Sequence, residues 1–279
     1  MTVLRKMHEL AVSERDKAIA WLLTGAIFFA MRSCEYLKTA EETTKRTKII
    51  RMKNIRFKRG SSVLAHNHKQ LHTSDLVQIT FQFQKNDKRD VCIHMFSSGD
   101  KLLCPVQAWA KIVQRVRSIP GADDESPVCL FQDEKGNTSL LSSPYVRSRL
   151  RAIVAVMGED KLGFKPESMG LHSIRSGGAM AMFLSGVPVV IIMRVGRWSS
   201  DAFLEYIRDQ IESFTADVSK KMLQCEDFVT LNIQHKDTLL QGGTTVPTNL
   251  PQNEDAPNSV AFDVQFSNLA LGNGQRQRR

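Results

Sequence analysis

The sequence predicts a mainly α-helical domain carrying a small antiparallel β-sheet, and three observations point to it. Apolar side chains recur at three- and four-residue steps over 14–31, 143–157 and 171–225, which is the helical period. Residues 76–84 alternate apolar and polar, the period of a half-buried strand. Turn-forming residues then separate them from a second strand-like run at 91–96, the pattern of a hairpin.

In chain order, Ser13 and Glu14 open a helix with Ile19, Leu22, Leu23, Ala26, Ile27 and Ala30 on its apolar positions. It runs into "MRSCEYLK", so Arg32 and Glu35 are expected at the end of a buried helix. The segment "KRTKIIRMKNIRFKR" follows, where Ile49, Met52, Ile55 and Phe57 interrupt a dense basic series as a short strand would. "LVQITFQFQ", "KNDKRD" and "VCIHMF" complete a sheet between residues 48 and 96, with Lys85 at a hairpin tip. Pro105 starts a helix through Val116, and Ser143-Pro144 has N-cap and N1 character before Val146, Leu150, Ile153, Val154 and Met157. From Leu171 to Cys225 the pattern is helical, broken at Gly186-Val187-Pro188 and at Gly196. Ser199 or Ser200 is a plausible N-cap for the stripe Phe203, Ile207 and Ile211, beside which Tyr206 falls. No internal repeat is present, and beyond Val229 the composition turns to Gln, Asn, Thr, Gly and Pro. The expected organisation is one domain at 1–225 and a disordered tail at 226–279.

Lys and Arg number 38 against 29 Asp and Glu, a formal charge of +9 with a pI near 9.4. This suits a polyanionic partner without identifying one. The five cysteines are scattered and never spaced Cys-x-x-Cys, so neither a disulfide framework nor a zinc ribbon is indicated, and a reducing intracellular compartment is expected. His66, His68, His72, Cys92 and His94 match no ligand spacing, so no metal and no cofactor is expected. The longest apolar run, Ala18 to Met31, is shorter than the ~18 residues that suggest a membrane span, and no secretion signal opens the chain.

His172 and Arg175 lie three apart and share a helix face, and Gly177, Gly178 and Ala179 allow another backbone or an extended polyanion to approach. Alone, this pattern also describes a surface pair above packing glycines. Tyr206 alone also reads as a packed tyrosine with a solvated hydroxyl. Arg32 either reaches solvent, pairs with Glu35, or offers a preorganised fork to phosphate.

Together, "MRSCEYL", "FQFQKNDKRD", "LHSIR" and "GRW" followed by Tyr206 resemble, in order and spacing, the tyrosine recombinase catalytic domain, also called the phage integrase family, over residues 12–225. Arg32 and Glu35 match its first motif, Lys85 its hairpin lysine with Lys88 as second choice, and His172 and Arg175 its His-x-x-Arg. "RSCEY" and "FQFQKND" look most like eukaryotic mobile-element recombinases of the Crypton type. The resemblance implies that Arg32 and Arg175 stabilise phosphate charge and that Tyr206 attacks the scissile phosphate to form a 3′-phosphotyrosyl link. It implies that Lys85 and His172 move protons, with Glu35 and Trp198 in support. The family places His or Trp nine residues before the nucleophile; that position is Arg197 here, with Trp198 eight before. Either Arg197 donates to phosphate or Trp198 shifts into the role.

Lys45, Arg46, Lys48, Arg51, Lys53, Arg56, Lys58 and Arg59 would then contact phosphates. Members of the family carry a DNA-clamping domain before the first arginine, and 31 residues precede Arg32, so that domain is not expected in this chain. The implied partners are double-stranded DNA and further copies of the chain, with Ile211 to Cys225 docking on a neighbour, and the implied location is nuclear if the source is eukaryotic. A catalytically impaired DNA-binding remnant and a type IB topoisomerase are the alternatives.

Overall fold

The structure is a computed structural model that describes residues 1–39, 48–83, 89–199 and 204. These belong to one compact unit, residues 1–219. The expected tail, 226–279, lies outside the described residues, as do Lys45, Arg46, Lys85, Lys88 and Tyr206.

Helix α2 (Glu14–Phe28) is the centre of the unit. The Ser13 hydroxyl accepts a hydrogen bond from the Asp16 N–H at 3.1 Å, and Glu14 and Asp16 place negative charge at the positive end of the helix. From Ala18 to Ile27 its buried residues run around the whole circumference, Thr24 and Gly25 included, so other elements must cover every face there. A helix that the sequence left unread, α1 (Thr2–Leu10), covers one face with Leu4 and Met7. Helix α4 (Pro105–Arg117) covers a second, and a Cβ on Gly25 would lie 2.9 Å from the Trp109 indole. Helix α7 (His172–Leu184) covers a third, where a Cβ on Gly178 would strike the Ile27 carbonyl oxygen. The small residues after Arg175 therefore admit the backbone of α2.

Helix α2 stops short of Arg32, contrary to the periodic reading. Ala30 adopts a left-handed φ of 42°, and the Ala30 and Met31 N–H groups donate to Ile27 and Ala26 carbonyls, closing the helix. Arg32 then becomes the cap residue of the one-turn helix α3 (Ser33–Tyr36).

Four antiparallel strands, β1 (Ile55–Arg59), β2 (Ser62–Leu64), β3 (Leu76–Phe83) and β4 (Arg89–Phe96), form a sheet in the order β2-β1-β3-β4. Register pairs Phe57 with Val77 and Ile79 with Ile93 on the buried face, which packs toward α4. The first strand starts later than the basic segment suggested, because Met52–Asn54 makes a 3-10 turn in which the Asn54 side chain accepts from the Arg51 N–H at 2.9 Å.

A short hairpin, β5 (Leu130–Gln132) and β6 (Thr138–Leu140), leads to α5 (Ser143–Met157). The cap position of α5 is Ser142, one residue before the position expected from Ser143-Pro144. The one-turn α6 (Glu159–Leu162) precedes α7, and Gly186, at φ 74°, turns the chain into α8 (Val189–Gly196). Among the described residues no helix is long and apolar enough to cross a membrane.

Candidate active site

The site forms where the end of α2, the start of α7 and the end of α8 meet. Arg32, which begins α3, is joined to Glu35 twice: its backbone N–H donates to Oε2 at 2.8 Å and its guanidinium to Oε1 at 3.2 Å. Glu35 is 1% exposed, whereas the Arg32 side chain is 24% exposed and keeps access to solvent. A carboxylate three residues into a helical turn reaches back to the open N–H before it, which is the local reason for the Arg-x-x-Glu spacing.

Arg175 and His172 share α7, but the structure separates their environments. Arg175 is 2% exposed, donates to the Ala30 carbonyl and, at 2.6 Å, to the Gly196 carbonyl, and its guanidinium carbon lies 4.2 Å from the centre of a Trp198 ring. It thereby ties the turn after α2 to the end of α8. His172, in the first turn of α7, is exposed. Its pKa is lowered by partial burial of the ring, then by the Arg175 and Arg32 charges, so neutral imidazole is favoured. Arg175 bonds the Ala30 carbonyl two residues before Arg32, and Ser33 and His172 line one cavity, so the start of α7 neighbours the segment around Arg32 although 140 residues separate Arg32 from His172 in sequence.

Arg197 departs from its expected position. It caps α8 at a left-handed φ of 58°, is 5% exposed, and directs its guanidinium inward. There it donates to the Phe29 and Val195 carbonyls at 3.0 and 2.9 Å and to Glu35 Oε2 at 2.7 Å, with its central carbon 3.7 Å from the Phe81 ring centre. Burial lowers its pKa and the facing Glu35 carboxylate opposes that shift. Arg197, one of the two residues offered for the donor role, is thus an internal counter-ion to Glu35 in this structure. Trp198 instead folds back so that its ring occupies the space a Cβ on Gly196 would need, over Arg175.

The basic segment is only partly open. Arg51 and Lys53 pair with Glu125, and Arg59 reaches Gln70 and Thr73. Lys48 and Arg56 are exposed and Lys58 is half-buried on β1. The sequence reading missed Arg147 and Arg151, four apart on α5, which line a cavity together with His172. Their spacing on a helix face was a legible signal, but the three arginines of "VRSRLR" look alike until tertiary packing separates them. Among the described residues no group of three or more His, Cys, Asp and Glu side chains is placed to hold a metal ion.

No family model and no curated protein sequence matches this chain. Among solved structures it is similar to a XerH site-specific recombinase bound to palindromic difH substrate in a post-cleavage complex. That match has a TM-score of 0.48 and 16% identity over 78% of this chain and 50% of that one. The pre-cleavage complex of XerH with difH gives 0.46 and 16% over 77% and 51%. A Tn1549 transposon integrase in complex with transposon right end DNA gives 0.43 and 8% over 78% and 63%. The chain spans about half the length of the first of these structures.

Proposed function

We propose that the chain cleaves and rejoins DNA strands through a covalent 3′-phosphotyrosyl intermediate on Tyr206. The observation that carries this reading is that the segment around Arg32 and the start of α7, which bears His172 and Arg175, are neighbours though far apart in sequence: Arg175 bonds the Ala30 carbonyl, and Ser33 and His172 line one cavity. Two fixed guanidiniums stabilise the charge that grows on the non-bridging oxygens as a nucleophile adds to a phosphodiester. Arg32 offers the accessible donors, and Arg175 contributes positive charge from beneath. In the reaction the Tyr206 oxygen forms a bond to phosphorus and the bond to the 5′-oxygen breaks. The tyrosine proton passes to His172, and the leaving 5′-oxygen takes a proton from Lys85. Reversal with a different 5′-hydroxyl rejoins strands without an external energy source. Trp198, stacked on Arg175, takes the position that Arg197 leaves.

The natural partners in this reading are duplex DNA and further copies of the chain, with a mobile element of Crypton type as the origin and, for a eukaryotic source, a nuclear location. Incubation with a nicked suicide duplex is expected to give a covalent protein–DNA adduct that Tyr206→Phe abolishes. No adduct from the intact chain, or an adduct that survives Tyr206→Phe, overturns the reading. A second reading, a DNA-binding protein without strand transfer, is favoured by one observation: the Arg197 guanidinium is committed to Glu35 and two carbonyls. Salt-sensitive duplex binding with no adduct, unrescued by Arg197→His, selects it.

A further inference from the structure

Beside His172 lies a cavity of about 380 Å³. Its walls come from three places: the first three turns of α5, the turn entering α7, and the segment that follows Arg32. The walls are joined, because the Lys38 N–H donates to the Leu141 carbonyl at 3.0 Å and the Ser143 N–H to the Lys38 carbonyl at 2.8 Å. The chain that leaves Arg32 is thus hydrogen-bonded to the chain that enters α5, and the cavity keeps its shape relative to the candidate active site.

The lining is chemically one-sided. Arg147, Arg151 and His172 supply nitrogen donors, Ser33 and Thr39 supply hydroxyls, and no carboxylate takes part among the described residues. Arg151 is held in place, with Nε donating to the Met169 carbonyl at 2.9 Å and a terminal nitrogen to the Glu167 carbonyl at 2.6 Å. Arg147 is exposed and has no ion-pair partner among the described residues. The contrast with Arg149 on the same helix is direct, since Arg149 pairs with Asp16 at 2.9 Å. Like charges four apart on a helix repel. An anion between them removes that repulsion and adds charge-assisted hydrogen bonds.

We propose that this cavity is a second phosphate subsite, which receives a DNA backbone phosphate next to the one handled by Arg32 and His172. Arg147 is its principal donor, Arg151 its fixed partner, and the Ser33 and Thr39 hydroxyls complete the lining. The inference rests on the DNA reading above and adds to it the element, α5, that sets where the backbone runs past the active site.

The test uses the full chain and a generic duplex of about 30 base pairs, with binding read by fluorescence anisotropy over a salt series. Arg147→Gln is expected to make the slope of log affinity against log salt shallower by about 0.9, the value for one lost phosphate contact, while Arg147→Lys retains it. Arg149→Gln should leave the slope unchanged, because that arginine is already paired. If the intact chain binds duplex and Arg147→Gln keeps its slope, the subsite is wrong and the DNA reading stands. If the intact chain binds no duplex at any salt, the DNA reading fails. A parallel titration with inorganic pyrophosphate at constant ionic strength, read as a shift in Tm, then decides the cavity. A shift lost in Arg147→Gln but present in a chain that ignores duplex overturns the DNA assignment in favour of a free phosphate ligand. A shift present in the intact chain, lost in Arg147→Gln and accompanied by the shallower duplex slope supports the proposal. Absence of both effects overturns it.

Discussion

Glu35 accepts from the Arg32 backbone, the Arg32 guanidinium and the Arg197 guanidinium, so one buried carboxylate holds two arginines that enter from different parts of the fold. Removing Arg197 leaves this buried carboxylate with Arg32 as its only cation of the two and takes a donor from the Phe29 and Val195 carbonyls. Arg197→Met is therefore expected to lower unfolding free energy by about 3–5 kcal/mol in urea denaturation. Adding Glu35→Gln should cost less than the sum of the two single changes, because the neutral pair leaves no buried charge. At His172, partial burial and then the Arg175 and Arg32 charges lower the pKa. Arg32→Gln removes one of those charges, so the His172 titration midpoint followed by NMR should rise toward the ordinary value. In the strand-cleavage reading the intact chain keeps a neutral His172 to lower pH, and its rate should fall only below the usual histidine range.

Helix α7 is seated on α2 by the absence of side chains. A methyl group at Gly178 meets a backbone carbonyl, which cannot move aside as a side chain can, whereas the nearest atom to a Cβ on Gly177 is Ile27 Cδ1 at 4.0 Å. Gly178→Ala should destabilise by about 1–3 kcal/mol through overpacking and move α7, with its histidine and arginine, off the site. Gly177→Ala should be neutral or stabilise by up to about 1 kcal/mol from helix propensity. Denaturation of the two variants in parallel checks the contrast. Helix α1 is held differently, by a 2.8 Å hydrogen bond between His8 Nε2 and the Thr24 hydroxyl. Burial lowers the His8 pKa, so the folded chain binds its proton less readily than the unfolded chain. The resulting stability is present above the unfolded value of about 6.5 and is lost as pH falls from there toward the folded value. His8→Gln should flatten that part of the acid limb in a Tm–pH series.

Across the whole molecule, the +9 formal charge is not spread as freely as the composition implies. Arg51, Lys53, Arg117 and Arg149 each face a carboxylate, so their fields are partly cancelled where they stand. Arg56 projects from β1 with no such partner among the described residues. In the DNA reading, Arg56→Gln should reduce the salt slope of duplex binding by about 0.9. Lys53→Gln should change it less, because Glu125 already sits against that ammonium. Anisotropy over the same salt series compares the two.

The mainly helical class, the hairpin at 76–96, the helices beginning near Glu14 and Pro105 and the breaks at Gly186 and Gly196 were legible in the sequence, because each rests on local period or local turn chemistry. The spacings of Arg32 to Glu35 and of His172 to Arg175 were visible there too, whereas Arg147 and Arg151 were passed over. The helix α1, the short strands β5 and β6 and the end of α2 were not legible. Their boundaries depend on burial against distant segments, and Ala30 takes its unusual φ inside a packed turn. The direction of each arginine was likewise a tertiary decision. Arg32, Arg175 and Arg197 are alike in sequence, yet one keeps solvent access, one holds two carbonyls beneath Trp198, and one turns inward to Glu35. A guanidinium carries several donors and goes wherever acceptors and charge await it, and those acceptors are supplied by chain segments that only folding brings near.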